Sequence, residues 1–67
     1  MKKILITGGS SGIGAAAGRM LSERGHQVTI MGRNENTLRN IAQDQFHFVV
    51  GDVRNVQDCI HAFAYAQ

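Results

Sequence analysis

Gly8, Gly12 and Gly14 punctuate the octapeptide TGGSSGIG, Thr7–Gly14, near the start of a 67-residue sequence. Glycine admits positive φ and lets other atoms come close to the backbone. Where a strand runs through such a loop into a helix, unpaired N–H groups point outward and the helix dipole favours negative charge. The chemistry this offers is a grip on phosphate. Gly8 suits the tight turn off the strand, Gly12 the approach of phosphate to the backbone, and Gly14 the close packing of helix on strand. Ser10 and Ser11 add hydroxyl donors for phosphate oxygens. A glycine-rich turn with no ligand is the plainer reading, but it does not call for three spaced glycines and two serines.

The spacing narrows the ligand. A Walker P-loop ends in Gly-Lys-Ser/Thr, and no lysine lies in this stretch. The G-x-G-x-x-G fingerprint is not completed either, because no glycine follows Gly14 at the required step. What stands here is T-G-x-x-x-G-I-G, and in its strand–helix setting it closely resembles the short-chain dehydrogenase/reductase family. The resemblance runs from Lys3 to about Val53. It implies a doubly wound sheet that binds NAD or NADP, with Gly8, Ser10, Ser11, Gly12, Ile13 and Gly14 in the cofactor-binding loop.

Two later positions bear on which cofactor. Gly32 stands where NAD-preferring relatives tend to carry an acid for the adenosine ribose, and Arg33 follows it, 19 residues after Gly14. A guanidinium fork suits a 2′-phosphate, so NADP is expected over NAD. After the third strand come Asp52 and Val53, which similar sequences place against the adenine. An ionised Asp only accepts hydrogen bonds and the exocyclic amine donates them.

The family's proton-transfer set cannot be assigned. That chemistry uses a tyrosine within Tyr-x-x-x-Lys and a nearby serine. The only tyrosine is Tyr65, in a helix, and no lysine occurs after Lys3. The expected catalytic residues are therefore none, and residues 1–67 read as a partial dinucleotide-binding domain, truncated before the catalytic segment. A non-catalytic nucleotide-binding module, or a self-associating structural one, is the alternative.

Lys3 to Thr7 reads as a strand buried on both faces. Ile13, Ala16, Ala17, Met20 and Leu21 recur at helical spacing and predict the inward face of a helix ending near Gly25, with Arg24 in its last turn. Gln27 to Met31 is a second strand. Asn34 caps a helix whose apolar face is Leu38, Ile41 and Ala42. Phe46 to Val50 is a third strand. Asn55 then caps a helix with Val56, Cys59, Ile60, Phe63 and Ala64 on one face. The fold class is α/β: a βαβαβα half of a Rossmann-like doubly wound parallel sheet. The resemblance gives its three strands the order 3-2-1. The resembling fold pairs the first strand with a fourth as well. Without one, Ile4 to Ile6 forms an apolar edge, and the expected partner is a second copy of the chain or a missing C-terminal part.

Composition sets the remaining bounds. A single domain of this size buries about 60% of its unfolded surface, which leaves stability marginal. Cys59 is the one cysteine and the three histidines are scattered, so no disulfide and no metal site is expected. Ile4-Leu5-Ile6 is too short for a signal peptide or membrane span, which points to a cytoplasmic protein with no membrane partner. Seven Lys/Arg against five Asp/Glu, dispersed along the chain, give a net charge of +2 and no basic run for nucleic acid.

Overall fold

A computed structural model describes residues 2–8 and 12–66. The elements are β1 (Lys3–Thr7), α1 (Gly12–Glu23), β2 (Gln27–Gly32), α2 (Glu35–Ala42), β3 (His47–Val50) and α3 (Val56–Ala66). The strands form one parallel sheet in the order β1-β2-β3, with the same neighbours as the expected 3-2-1. Ile6 pairs with Ile30 in the first ladder, and Ile30 with Phe48 in the second.

Side chains alternate across the sheet with the two-residue period of strands. Val28 and Ile30 face one side, where Leu38 and Ala42 of α2 and Phe46 complete a buried cluster. Ile6, Leu21, Ile41 and Phe48 pack around it. Met31 and Val49 face the other side, against Ala62 of α3, with Leu5 and Cys59 beside them. Thus α1 and α2 cover one face and α3 the other.

Local chemistry sets the element ends. Gly25 takes φ +88°, and two hydrogen bonds, Gly25 N to Ser22 O and His26 N to Leu21 O, close a Schellman turn after α1. Arg24 therefore lies just past the helix. The Asn34 side chain accepts the Thr37 N–H at 3.1 Å, and the Asn55 side chain accepts the Asp58 N–H at 3.1 Å. Both asparagines cap as expected.

Three expectations about burial are corrected. The strand buried on both faces is β2; β1 is an edge strand with Ile4, Leu5 and Ile6 only half-buried. On α1, Ile13 is 87% exposed, Ala16 and Met20 are also exposed, and Gly14, Ala15 and Gly18 turn inward. A Cβ at Gly18 would lie 3.3 Å from Phe46 Cζ and 3.6 Å from Ile30 Cγ2, so the helix sits closer to the sheet than a larger residue would allow. On α3, Val56, Ile60, Phe63 and Ala64 are exposed while Ala62 and Ala66 are buried. In both helices the buried positions are glycine or alanine. Of the expected stripes Leu21 and Cys59 do pack on the core, while Ile13, Met20, Val56, Ile60 and Phe63 face out. Phe46 lies just before β3 and is buried from that position.

Candidate functional site

The three strands run parallel, so their carboxyl ends share one edge of the sheet. Gly8 follows β1, Arg33 follows β2, and Gly51 to Arg54 follow β3. These residues, with Met31 and Gly32, line a cleft of about 340 Å³. Ligands of open parallel sheets bind at this end, in the crevice beyond the strand termini.

Of the residues singled out in the sequence, Gly8, Arg33, Asp52 and Val53 meet in this cleft. Gly12, Ile13 and Gly14 form the first turn of α1 and are not among its lining. Ser10 and Ser11 lie outside the described residues. Gly8 takes φ +71°, which a side chain would strain, so the tight turn off β1 does require glycine. Gly12 is different. It has no positive φ, and among the described residues a Cβ there would meet no atom within 4 Å. Among the described residues, Gly12 borders open space. Gly14 is buried in the first turn of α1.

The loop after β3 is held from two directions. The Asp52 N–H donates to Asp58 Oδ2 at 2.9 Å, fixing the start of the loop to the first turn of α3. Cys59 Sγ lies 3.3 Å from the Val53 carbonyl, which it meets as a weak donor. Gly51 sits tightly: a Cβ there would lie 2.8 Å from Met31 Cε and 3.2 Å from Asp58 Cβ. A side chain at Gly51 would push on both the cleft wall and α3.

Charge in the cleft is concentrated on three residues. Arg54 wraps the Asp52 carboxylate, its backbone N–H reaching Oδ1 at 2.9 Å and its Nη2 reaching Oδ2 at 2.9 Å. Its Nε is shared between the two oxygens at 3.1 and 3.2 Å. These side-chain and backbone hydrogen bonds from Arg54, with a smaller contribution from the Arg33 charge, hold Asp52 at about 2, below its ordinary 3.8. The same carboxylate raises the Arg54 guanidinium above its ordinary range. Arg33 makes no side-chain hydrogen bond or ion pair among the described residues, so its donors face the cleft uncommitted.

Sequence reasoning missed Met31, Gly51, Arg54 and Asp58. The Arg54 contact had a local signal, since an Asp two residues before an Arg can close an Asx-turn and an ion pair together. The Met31–Gly51 and Asp52–Asp58 contacts join separate elements and carry no such mark.

Comparison with known proteins agrees with this geometry. A family model described as short chain dehydrogenase matches residues 2–67. The 3-oxoacyl-[acyl-carrier-protein] reductase of Rickettsia prowazekii is 41% identical over 61 residues, covering 87% of this chain and 25% of that protein. A short chain dehydrogenase/reductase family oxidoreductase from Aeromonas hydrophila superposes with a TM-score of 0.88 at 36% identity, over 98% of this chain and 33% of that one. An actinorhodin polyketide ketoreductase solved with NADPH gives a TM-score of 0.87 at 29% identity, over 94% of this chain and 26% of that one. Serine dehydrogenase complexed with NADP+ gives 0.82 at 28% identity, over 96% and 27%. Among the first curated relatives, the matched stretch spans 13% to 30% of their length.

Proposed function

The chain belongs to the short chain dehydrogenase family, and on that premise we propose that it binds the adenosine-phosphate half of a dinucleotide, with NADP preferred over NAD. One observation carries the reading: loops after three separate strands bring Gly8, Arg33, Asp52 and Val53 to a single cleft at the carboxyl edge of the sheet. Gly8, Ser10, Ser11, Gly12, Ile13 and Gly14 form the phosphate loop, and the open space at Gly12 is where the pyrophosphate would come close. Arg33 offers its free fork to the 2′-phosphate. Asp52 would accept from the adenine amine, with Val53 beside the ring.

The fit of these residues to a nicotinamide dinucleotide rests on that donor set and on the room at Gly12. The bound group would supply hydride transfer; the residues of this chain bind and orient its adenosine end. None of them is assigned to proton transfer, and Tyr65 packs edge-to-face on His47 at 6.3 Å, in the last turns of α3. The proposed role is thus a grip on the adenosine end of the cofactor, in the dinucleotide-binding part of a cytoplasmic oxidoreductase. Among the described residues, no helix is long and apolar enough to cross a membrane.

Calorimetric titration with NADP, NAD and 2′,5′-ADP tests this. Binding of NADP and 2′,5′-ADP ahead of NAD is expected. Arg33→Ala should remove the preference at a cost of about 1.5–3 kcal/mol, roughly 10–150-fold in affinity. Failure of all three ligands to bind would overturn the reading in favour of a structural module.

A self-associating role has one observation of its own. The edge strand β1 lies beside a shallow concavity lined by Lys3, Leu5, Phe63 and Ala66, with Phe63 62% exposed. A second copy pairing along β1 would cover it. Sedimentation should then show a dimer or larger species, and a monodisperse monomer would sink the idea.

A further inference from the structure

A carboxylate has about four lone-pair positions, two on each oxygen. In this chain both oxygens of Asp52 are engaged, and by one residue, through three N–H donors of which the Nε–H is shared. Oδ1 accepts the Arg54 backbone N–H and Nε, while Oδ2 accepts Nε and Nη2. The Arg54 guanidinium is an exposed lid on that carboxylate, its side chain 74% accessible against 29% for Asp52, and both line the cleft with Arg33. An adenine amine arriving at Asp52 meets a carboxylate already engaged by Arg54 on both oxygens.

We propose that Arg54 is an internal competitor for the adenine-reading carboxylate, so that base binding requires exchange of the Arg54–Asp52 pair for an Asp52–amine hydrogen bond. The inference rests on the adenine contact of Asp52 proposed above. The exchange is feasible because little holds the guanidinium in place. Exposed ion pairs of this kind are weak, and Arg54 donates to no other residue among those described. The Asx-turn bond from the Arg54 N–H to Oδ1 does not need the side chain, and Asp58 still holds the Asp52 backbone, so the carboxylate stays aimed when the side chain leaves. Arg54 therefore sets the apparent affinity for the base, whereas Arg33 sets the preference for a phosphate. The two guanidiniums lie in one cleft and act in opposite directions.

The test uses neutral nucleosides, adenosine and inosine, so that attraction of either arginine to phosphate does not enter. NMR titration of the wild-type chain should show adenosine binding ahead of inosine, which lacks the donor amine. Arg54→Ala should bind adenosine about 1.5- to 5-fold tighter, the span of an exposed ion pair, and inosine no tighter than before. Raising salt should strengthen adenosine binding to the wild type and leave Arg54→Ala unmoved. The Asp52 carboxyl carbon, followed through pH in the same samples, should titrate near 2 in the wild type and move toward 3.8 in Arg54→Ala. That movement shows the pair was broken in a folded chain, and Arg54→Gln provides a second variant if the alanine form does not fold. Adenosine affinity that stays level or falls in these variants, or a gain shared equally by inosine, overturns the competition while leaving the adenine reading intact. Equal binding of adenosine and inosine by both the wild type and Arg54→Ala, or binding of neither nucleoside by either, overturns both.

Discussion

The two faces of the sheet are built from different materials. On the α1–α2 face, large side chains are buried together: Ile30 and Leu38 are 0% exposed, and Phe46 fits beneath Gly18. On the α3 face the helix contributes Ala62 and Ala66, and Met31 and Val49 of the sheet supply the bulk. The larger apolar residues of α3, Val56, Ile60 and Phe63, point away. One face is thick with branched and aromatic contacts, whereas the other is thin, and the thin face borders the candidate site. Met31 belongs to both, packing in the α3 cluster and lining the cleft. Stability should therefore depend mainly on the first face, and the shape of the site on the second.

Truncation in the thick face is the strongest way to break that comparison. Leu38→Ala removes a fully buried side chain from the centre of the cluster and should cost about 2–5 kcal/mol. At about 0.05–0.15 kcal/mol per residue, a domain of 67 residues holds about 3–10 kcal/mol in total, so this loss is a large share of it. Urea unfolding followed by circular dichroism should find the variant's midpoint sharply lowered. A midpoint within error of the wild type would show that the cluster does not carry the fold.

On the thin face the sensitivity should be to added volume. Ala62 is 0% exposed and packed on Met31 and Val49, so Ala62→Leu must lift α3 or force poor rotamers, at about 1–3 kcal/mol. Because Met31 also lines the cleft, amide shifts of Gly32, Gly51 and Asp52 should move in the same spectra. Shifts confined to α3 would separate the packing face from the site.

The contrast between faces also explains what the sequence disclosed. Element types, their order and the parallel sheet were legible, because short apolar runs alternate with capped helical segments. Asn34, Asn55 and Gly25 work through hydrogen bonds or φ at a single position, so each can be read without knowing what packs nearby. The helix faces were not legible. Counting apolar residues at helical spacing weighs Ile13 and Phe63 heavily and Gly18 and Ala62 hardly at all. The sheet selects the other way, because small residues let helix and strand backbones come close. Half of the site followed the same division. Gly8 and Arg33 stood out by type and position and Asp52 and Val53 through the family resemblance, while the hold of Arg54 on Asp52 depends on how a turn folds the chain back on itself.

A smaller effect is expected where α3 meets the site loop. Asp58→Ala removes the acceptor of the Asp52 N–H, a partly buried hydrogen bond whose loss should cost about 1 kcal/mol. Its consequence should be local: faster hydrogen exchange at Asp52, with amides of the α1–α2 face unchanged. Uniform loss of protection would mean that the loop is part of the cooperative core rather than an attachment to the thin face.

The smallest change sharpens the comparison most. Phe63 is a large apolar side chain at helical spacing from Val56 and Ile60, and hydropathy alone would rank it as core. It is 62% exposed, so Phe63→Ser should shift the stability of an isolated monomer by no more than about 0.5 kcal/mol. Measured at low concentration, that near-silence would confirm that α3 is held by its alanines. If the loss instead grows with protein concentration, Phe63 is buried in a self-associated form, because an interface that exists only between copies stabilises the fold by mass action. A concentration-independent loss of 2 kcal/mol or more, the size expected of a buried aromatic, would place Phe63 in the core and remove the distinction between the two faces.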